Sequence, residues 1–330
     1  MSRCMTDTDN LTAVADAIRV KGGTSAQLVY PAGFVSAIQA IETGVTPKLV
    51  VTTMPGAGVT ATPAEGGKVV TGTAGTDGTC TLELPKAGTW NITAIANGLS
   101  DTQSIVIGTQ SISLFAFDPV FANNSWAGVA MACRRGTVPS TWLVGDSMPM
   151  TIGGTDYQVD IIGKNHDDYY DGSGKAPLTF QLHDCCATGY GMNDTETVVG
   201  GWKSSKMRTE YLPLILKLMP QSVQNGIREV SKKSAATSSS VVTSADKLFL
   251  LSEIEIFGSR IISAAGEGTQ YSYYAAGGSK VKEMNGAAVT WWQRSQNFAG
   301  AGGFGFVGQQ GGTNGGDITN LYGVSFAFCF

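Results

Sequence analysis

The last forty residues, Trp291-Trp292-Gln293-Arg294-Ser295 and then QNFAGAGGFGFVGQQGGTNGGDITNLYGVSFAFCF to Phe330, hold two apolar-rich runs, GFGFVG and YGVSFAFCF. Between them lies a loop of glycine, glutamine, asparagine and threonine. Both runs read as strands. Gln, Asn and Tyr set among glycines offer adaptable hydrogen bonds and rigid aromatic contacts, the chemistry of a binding loop. The glycine-rich run has no GxGxxG after a strand and no GK[ST], so a phosphate cradle is not supported. Trp291 and Trp292 read as core anchors that, with Arg294 and Ser295, fix the loop.

Outward from this end, residues 111–330 are aromatic and rich in glycine, and carry five of the six tryptophans. One helix stands out, in SSKMRTEYLPLILKLMPQSVQNGI. Ser204 or Ser205 caps it, Met207, Tyr211, Leu214 and Leu218 form its apolar stripe, Pro213 kinks or restarts it, and Pro220 begins a further turn. The rest alternates short strands with long loops, as in GTDYQVDIIG, LTFQLHD and KLFLLSEIEIFG. This is an α+β pattern.

Residues 47–110 change to short β-rich runs separated by turn signals, among them Asp77-Gly78. Cys80, Leu82 and Leu84, then Trp90, Ile92 and Ala94, alternate with polar neighbours and face inward. A small β-sandwich is expected. Residues 1–46 read as a helical hairpin. Leu11, Val14, Ala15 and Ile18 share a stripe that stops at Gly22-Gly23, and Phe34, Ile38 and Ile41 share a second stripe between Pro31 and Gly44. A piece this short buries little surface alone, so it is expected to dock on a partner or on its own copies.

The 330 residues include 43 glycines and 11 prolines, with 15% charged and 42% hydrophobic residues. Such a composition suits a turn-rich, β-rich chain with real cores rather than a disordered one. A formal charge of −4 removes the broad electrostatic basis for nucleic-acid binding. No run of about 18 apolar residues is present to span a membrane, and the N-terminus lacks a signal-peptide core. Assembly in a cytosol is expected. Two histidines, with neither HExxH nor paired CxxC spacing, argue against metal catalysis, and the six scattered cysteines read as reduced thiols. No cofactor and no metal are expected.

Several polar constellations invite a chemical reading. Asp167, Asp168 and Asp171 in NHDDYYDGSGK are dense enough for Ca²⁺, yet they match no EF-hand spacing and lack its closing Glu, which favours a solvated turn. His183 with Cys185 suggests a nucleophile pair. Asp184 between them would point to the opposite strand face and not orient the ring, so a packed strand end is preferred. Glu253 and Glu255 at i and i+2 of a strand would share one face, as a carboxylate pair does in glycosidases, but spacing alone is weak support. An enzyme is not expected.

The segment from about Gly145 to Phe330, with GDSMPMTIGGTDYQVDIIGKNHDD, GSGKAPLTFQLHDC, MNDTETVVGGWKSSKMRTEYL, DKLFLLSEIEIFG, AGEGTQYSYY and WWQRS followed by GVSFAFC, resembles the DUF6273 family of Firmicutes phages, prophages and gut metagenomes. Its closing pattern looks like the C-type lectin-like fold of formylglycine-generating-enzyme-like proteins and of variable proteins of diversity-generating retroelements. The matched cysteine pair of the former is missing, so catalysis does not carry over. The central run TDGTCTLELPKAGTW resembles carboxypeptidase-regulatory-like and Ig-like spacer domains. ADAIR.KGGTS and P.GF..AI near the N-terminus are similar to a segment of phage tail and baseplate proteins.

These resemblances imply an attachment segment (1–46), a spacer (47–110) and a lectin-like receptor-binding domain (111–330). The implied protein is a virion tail fibre or receptor-binding protein that grips a host-surface glycan or protein, as a homotrimer, with residues 1–46 holding other tail or baseplate proteins. In the lectin-like variable proteins the binding surface lies between WW.RS and the final strand, here Gln293 to Tyr322. The residues implied are Gln296, Asn297, Phe298, Phe304, Phe306, Gln309, Gln310, Asn314, Asp317, Thr319, Asn320 and Tyr322, of which strand alternation sends about half inward. A structural baseplate protein without receptor contact is the first alternative, and a glycan depolymerase using Glu253, Glu255 or the Asp167 cluster the second.

Overall fold

The computed structural model describes residues 8–22, 27–30, 34, 47–96, 98–107, 110–115, 117–237, 240–298 and 303–330. The fold mixes α and β, with strands in several small sheets predominating over helices. The described residues divide into two compact units, one within 1–94 and 102–114, the other formed by 95–101 and 115–330. No helix among them is long and apolar enough to cross a membrane.

In the first unit the helix Thr8–Gly22 buries Ala15 and Ile18 with Phe34, and Leu11 and Leu28 pack against them. Val14, expected on the same stripe, is exposed. The second expected helix, with Ile38 and Ile41, lies outside the described residues.

Seven strands follow: β1 Lys48–Thr52, β2 Gly58–Pro63, β3 Val70–Thr73, β4 Thr79–Glu83, β5 Gly88–Ala96, β6 Leu99–Ile107 and β7 Gln110–Ser113. They form one sheet in the order β4-β1-β7 and another in the order β3-β2-β5-β6. Period-two alternation puts Leu49, Val51, Cys80, Leu82, Trp90, Ile92 and Ala94 inside. The sheets face one another closely enough that a Cβ at Gly72 of β3 would lie 2.6 Å from the Cys80 sulfur of β4, so glycine there sets the sheet spacing.

The second unit is built around a five-stranded antiparallel sheet. Its strands are β8 Ser147–Ile152, β9 Thr155–Lys164, β10 Leu178–Leu182, β13 Leu248–Phe249 and β19 Ala327–Cys329, in the order β13-β19-β10-β9-β8. The hairpin β11 Val230–Thr237 and β12 Ser240–Asp246, the hairpin β14 Lys282–Met284 and β15 Ala287–Val289, and a three-stranded sheet complete the set. That last sheet runs β16 Trp291–Gln296, β17 Phe304–Val307 and β18 Thr313–Gly316.

Against the large sheet lies a helix that sequence reading missed, Trp126–Arg135, capped by Ser125 and ended by Gly136 in the left-handed region. Trp126, Phe180, Phe328 and Phe330 interlock there with ring centroids 5.1–6.0 Å apart. All five tryptophans of this unit are buried. Each indole N–H donates to a partner, which removes the penalty for burying it.

Two expected elements differ. KLFLLSEIEIFG is not one strand: only Leu248–Phe249 pairs, and Glu253–Phe257 is a helix opened by a capping box in which Ser252 and Glu255 exchange side-chain and backbone hydrogen bonds. The long helix expected after Ser204 is instead a π-turn Met207–Tyr211 followed by Leu212–Leu218, and a separate short helix Gly201–Ser204 precedes them. Rotation at the π-turn turns Leu212 and Ile215 inward with Met207 and leaves Leu214 and Leu218 more than half exposed.

Candidate binding site

Strand β16 is buried along its whole length, and its side chains tie it to the rest of its unit. The Trp291 indole donates to the Lys280 carbonyl (2.9 Å) and the Trp292 indole to the Tyr190 carbonyl (2.7 Å). Arg294 is fully buried and grips both carboxylate oxygens of Glu255. It also donates to the carbonyls of Leu250 and Glu267. Ser295 Oγ donates to Glu267 and accepts from the Glu253 amide.

The ionic chain continues away from the strand. Lys232, itself buried, sits 2.6 Å from Glu255 and 2.7 Å from Asp167, and the Tyr271 hydroxyl donates to Asp167. Burial alone would push the Glu255 carboxyl up, but Arg294 and Lys232 outweigh it and hold the group below its usual range. The same contest, against Lys232 and Thr179, leaves Asp167 well below the usual carboxylate range. Glu267 goes the other way: burial prevails over its donors and raises it. Buried charges persist only when paired, and Arg294, Glu255, Lys232 and Asp167 are paired.

This network reassigns the carboxylates that suggested catalysis. Glu253 accepts from the amides of Ile261, Ile262 and Ser263 and from the Ser263 hydroxyl, so it pins a loop. Helical geometry separates it from Glu255, which belongs to Arg294. The aspartate cluster is not one solvated group either. Asp167 is buried on Lys232, while Asp168 and Asp171 lie outside and pair with Lys175 (2.8 Å) and Arg228 (2.6 Å). Each carboxylate is met by a different cation, and no group of three or more metal-ligating side chains exists among the described residues.

His183 Nδ1 is 2.7 Å from Asp160, and Asp160 also accepts from Ser147 Oγ. The aspartate stands between hydroxyl and imidazole, with the Ser147 hydroxyl on the carboxylate and not on the ring, the reverse of the order in a nucleophilic triad. Asp184 accepts from the Glu283 amide, leaving the ring alone. Cys185 is buried and its thiol is pushed up to about 12 by that burial, which keeps it protonated. The five described cysteines are all buried free thiols.

Residues 180–330 match the model of DUF6273, a domain of unknown function. The matched stretch contains β16, its hairpin and most of the ionic network. A comparison with curated proteins found no match.

Within the DUF6273 region the expected binding residues fall into three groups. Gln296 and Phe304 are buried and serve the core. Asn297, Phe298, Phe306, Thr319, Asn320 and Tyr322 are half-buried, and Gln309, Gln310, Asn314 and Asp317 are exposed. Residues 299–302 lie outside the described residues. Gln309 and Gln310 occupy the turn between β17 and β18, Asn314 lies opposite Phe306 on β18, and Asp317 holds the following turn by accepting from the Thr319 amide and hydroxyl. The turn thus presents Gln309 and Gln310 at one end of the hairpin, with Asn314 along β18 and Asp317 past its other end.

Sequence reading missed the neighbours of this hairpin. Tyr190 pairs with Tyr322 in an isolated antiparallel bridge, which puts both side chains on one face. Tyr190 packs on Tyr211 with the rings tilted by 36° (centroids 4.6 Å), and Phe306 meets Tyr322 edge-on (5.3 Å). Glycine permits the approach: a Cβ at Gly189 would lie 2.8 Å from the Leu321 carbonyl, and one at Gly316 would lie 2.9 Å from the Phe306 ring. Two open grooves lie elsewhere in this unit, one of about 500 Å³ beside Arg208 and Leu212 and one of about 320 Å³ beside Tyr157 and Glu283.

Proposed function

We propose that the chain is a phage tail fibre or receptor-binding protein that adheres to a host cell-surface glycan or protein through a lectin-like tip at its C-terminal end. The observation that carries this reading is the hairpin β17–β18. It presents Gln309, Gln310 and Asn314 to solvent from a neighbouring strand that is itself locked by buried tryptophans and the Arg294–Glu255 pair. A rigid base under adaptable polar side chains is what recognition needs, because little ordering entropy remains to be lost on binding. The resemblances of the sequence supply the context. In this reading the C-terminal unit adopts a C-type lectin-like fold, the sandwich is an Ig-like or carboxypeptidase-regulatory-like spacer, and residues 1–46 join the virion tail or baseplate. Three copies on one tip would raise effective affinity by roughly 10² to 10⁴ without a deep pocket. No catalytic step is assigned.

The test is binding of the purified chain to intact cells of intestinal Firmicutes, comparing wild type with a Gln309→Ala, Gln310→Ala, Asn314→Ala variant. Loss of binding with an unchanged near-ultraviolet dichroism spectrum supports the adhesive tip. Equal binding by both proteins, or none by wild type, refutes it and favours a purely structural tail component.

A further inference from the structure

Phe306, Tyr322, Tyr190 and Tyr211 form an aromatic strip of two ring pairs joined by the Tyr190–Tyr322 backbone bridge, and each of the four residues is half-buried. The order is fixed by contacts: Phe306 on Tyr322, Tyr322 beside Tyr190 across the bridge, and Tyr190 on Tyr211. Beneath Tyr322 lies the buried Trp292 ring, 4.6 Å away, which stiffens the strip from below.

Polar groups stand along its length. Asn320 Nδ2 donates to the Tyr322 hydroxyl (2.9 Å), leaving its carbonyl oxygen available as an acceptor, and Asp194 accepts from the Tyr211 hydroxyl (2.9 Å). The cation at this end is compensated. Lys206 lies 5.1 Å from the Tyr211 centroid and is paired with Asp194 and, at 3.7 Å, with Glu210. The strip therefore offers aromatic faces with hydrogen-bonding edges and no uncompensated positive charge.

We infer that this strip is the ligand-contacting surface of the tip and that its ligand is a neutral glycan. This rests on the adhesive reading above and narrows it. A pyranose ring has one face of C–H groups, which packs on an aromatic ring, and a rim of hydroxyls, which bond to amide and carboxylate edges. A row of rings on rigid stems with a few fixed polar groups matches that pattern. Anionic polymers are disfavoured because Lys206 is already neutralised by two carboxylates, and a long apolar helix is disfavoured because tyrosine hydroxyls and Asp194 would be stripped of water without partners. The surface extends the expected stretch of Gln293 to Tyr322 to residues far away in sequence.

The experiment uses the full chain on the same intact cells, untreated, treated with periodate to open sugar rings, or treated with protease. The variants are Tyr190→Ser and Tyr211→Ser, each beside its phenylalanine counterpart, which keeps the ring and guards against loss of fold. The inference expects binding that is lost after periodate, survives protease, falls at least tenfold in both serine variants and is largely retained in both phenylalanine variants. Binding lost to protease and not to periodate overturns the glycan while leaving adhesion standing. Sensitivity to the Gln309, Gln310 and Asn314 substitutions without sensitivity to the serine variants overturns the strip. No binding by wild type removes the adhesive reading itself, and this inference with it.

Discussion

Arg294 and Glu255 meet in a fully buried, two-pronged ion pair that joins the strand Trp291–Gln296 to the short helix Glu253–Phe257. The pair is shared, because Lys232 also leans on Glu255 and passes the connection to Asp167. A single contact thus links motifs that lie far apart in the chain.

Removing one partner should strand the others. Glu255→Gln leaves Arg294 and Lys232 buried with insufficient negative charge, and a broken buried pair costs about 3–5 kcal/mol. Urea unfolding of the variant should show a loss in that range, with the thermal midpoint falling in step. A change below about 1 kcal/mol would show that the network does not hold the strand.

The histidine pair gives a pH signature. The hydrogen bond to Asp160 raises the His183 pKa above its ordinary value. A raised folded value means stabilisation present below the unfolded pKa of about 6.5 and lost as pH climbs through the folded one. His183→Asn should therefore lie further below wild type in melting temperature at pH 5.5 than at pH 8.5. Scanning both proteins across that interval checks the sign, and a gap that widens at alkaline pH would contradict it.

The π-turn makes a prediction about neighbours on one helix. Ile215 is buried and Leu214 is exposed, so Ile215→Ala should lower stability by about 2–5 kcal/mol. Leu214→Gln should stay within about 0.5 kcal/mol of wild type. Chemical denaturation of the two variants decides whether the turn is rotated as described.

Gly316 bears on the packing of two aromatic rings. A Cβ there would press on the rings of Phe306 and Tyr322 at 2.9 and 3.1 Å. Gly316→Ala should cost about 1–3 kcal/mol by overpacking and shift the near-ultraviolet aromatic dichroism. An unchanged spectrum would mean that the rings do not rest on this residue.

How far the sequence foretold this molecule depends on the range of the forces involved. The sandwich core was readable at Cys80, Leu82, Trp90 and Ile92, because period-two burial is local. The helix Glu253–Phe257 was misread because Ile254 and Ile256 alternate with glutamates as in a strand, although Ser252 and Glu255 carried a capping signature. Trp126–Arg135 was missed for a different reason: Trp126 to Cys133 are all buried, so the helix has no polar face in that stretch and hence no stripe. Ser125 and Gly136 were its available signals. At the site, the hairpin's exposed glutamines were legible as a loop. Tyr190 and Tyr211 were not, since their place beside Tyr322 is set by tertiary pairing.

The locked strand has a further consequence for how such a surface can change over generations. Gln309 and Gln310 lie in a turn, exposed, while the ionic anchor sits in the interior, so replacement of these two side chains leaves the core undisturbed. Selection on the exposed turn and selection on whether the chain folds then act on separate residues. In the adhesive reading proposed above, a lineage would alter its target by altering the turn, with the interior kept as inherited.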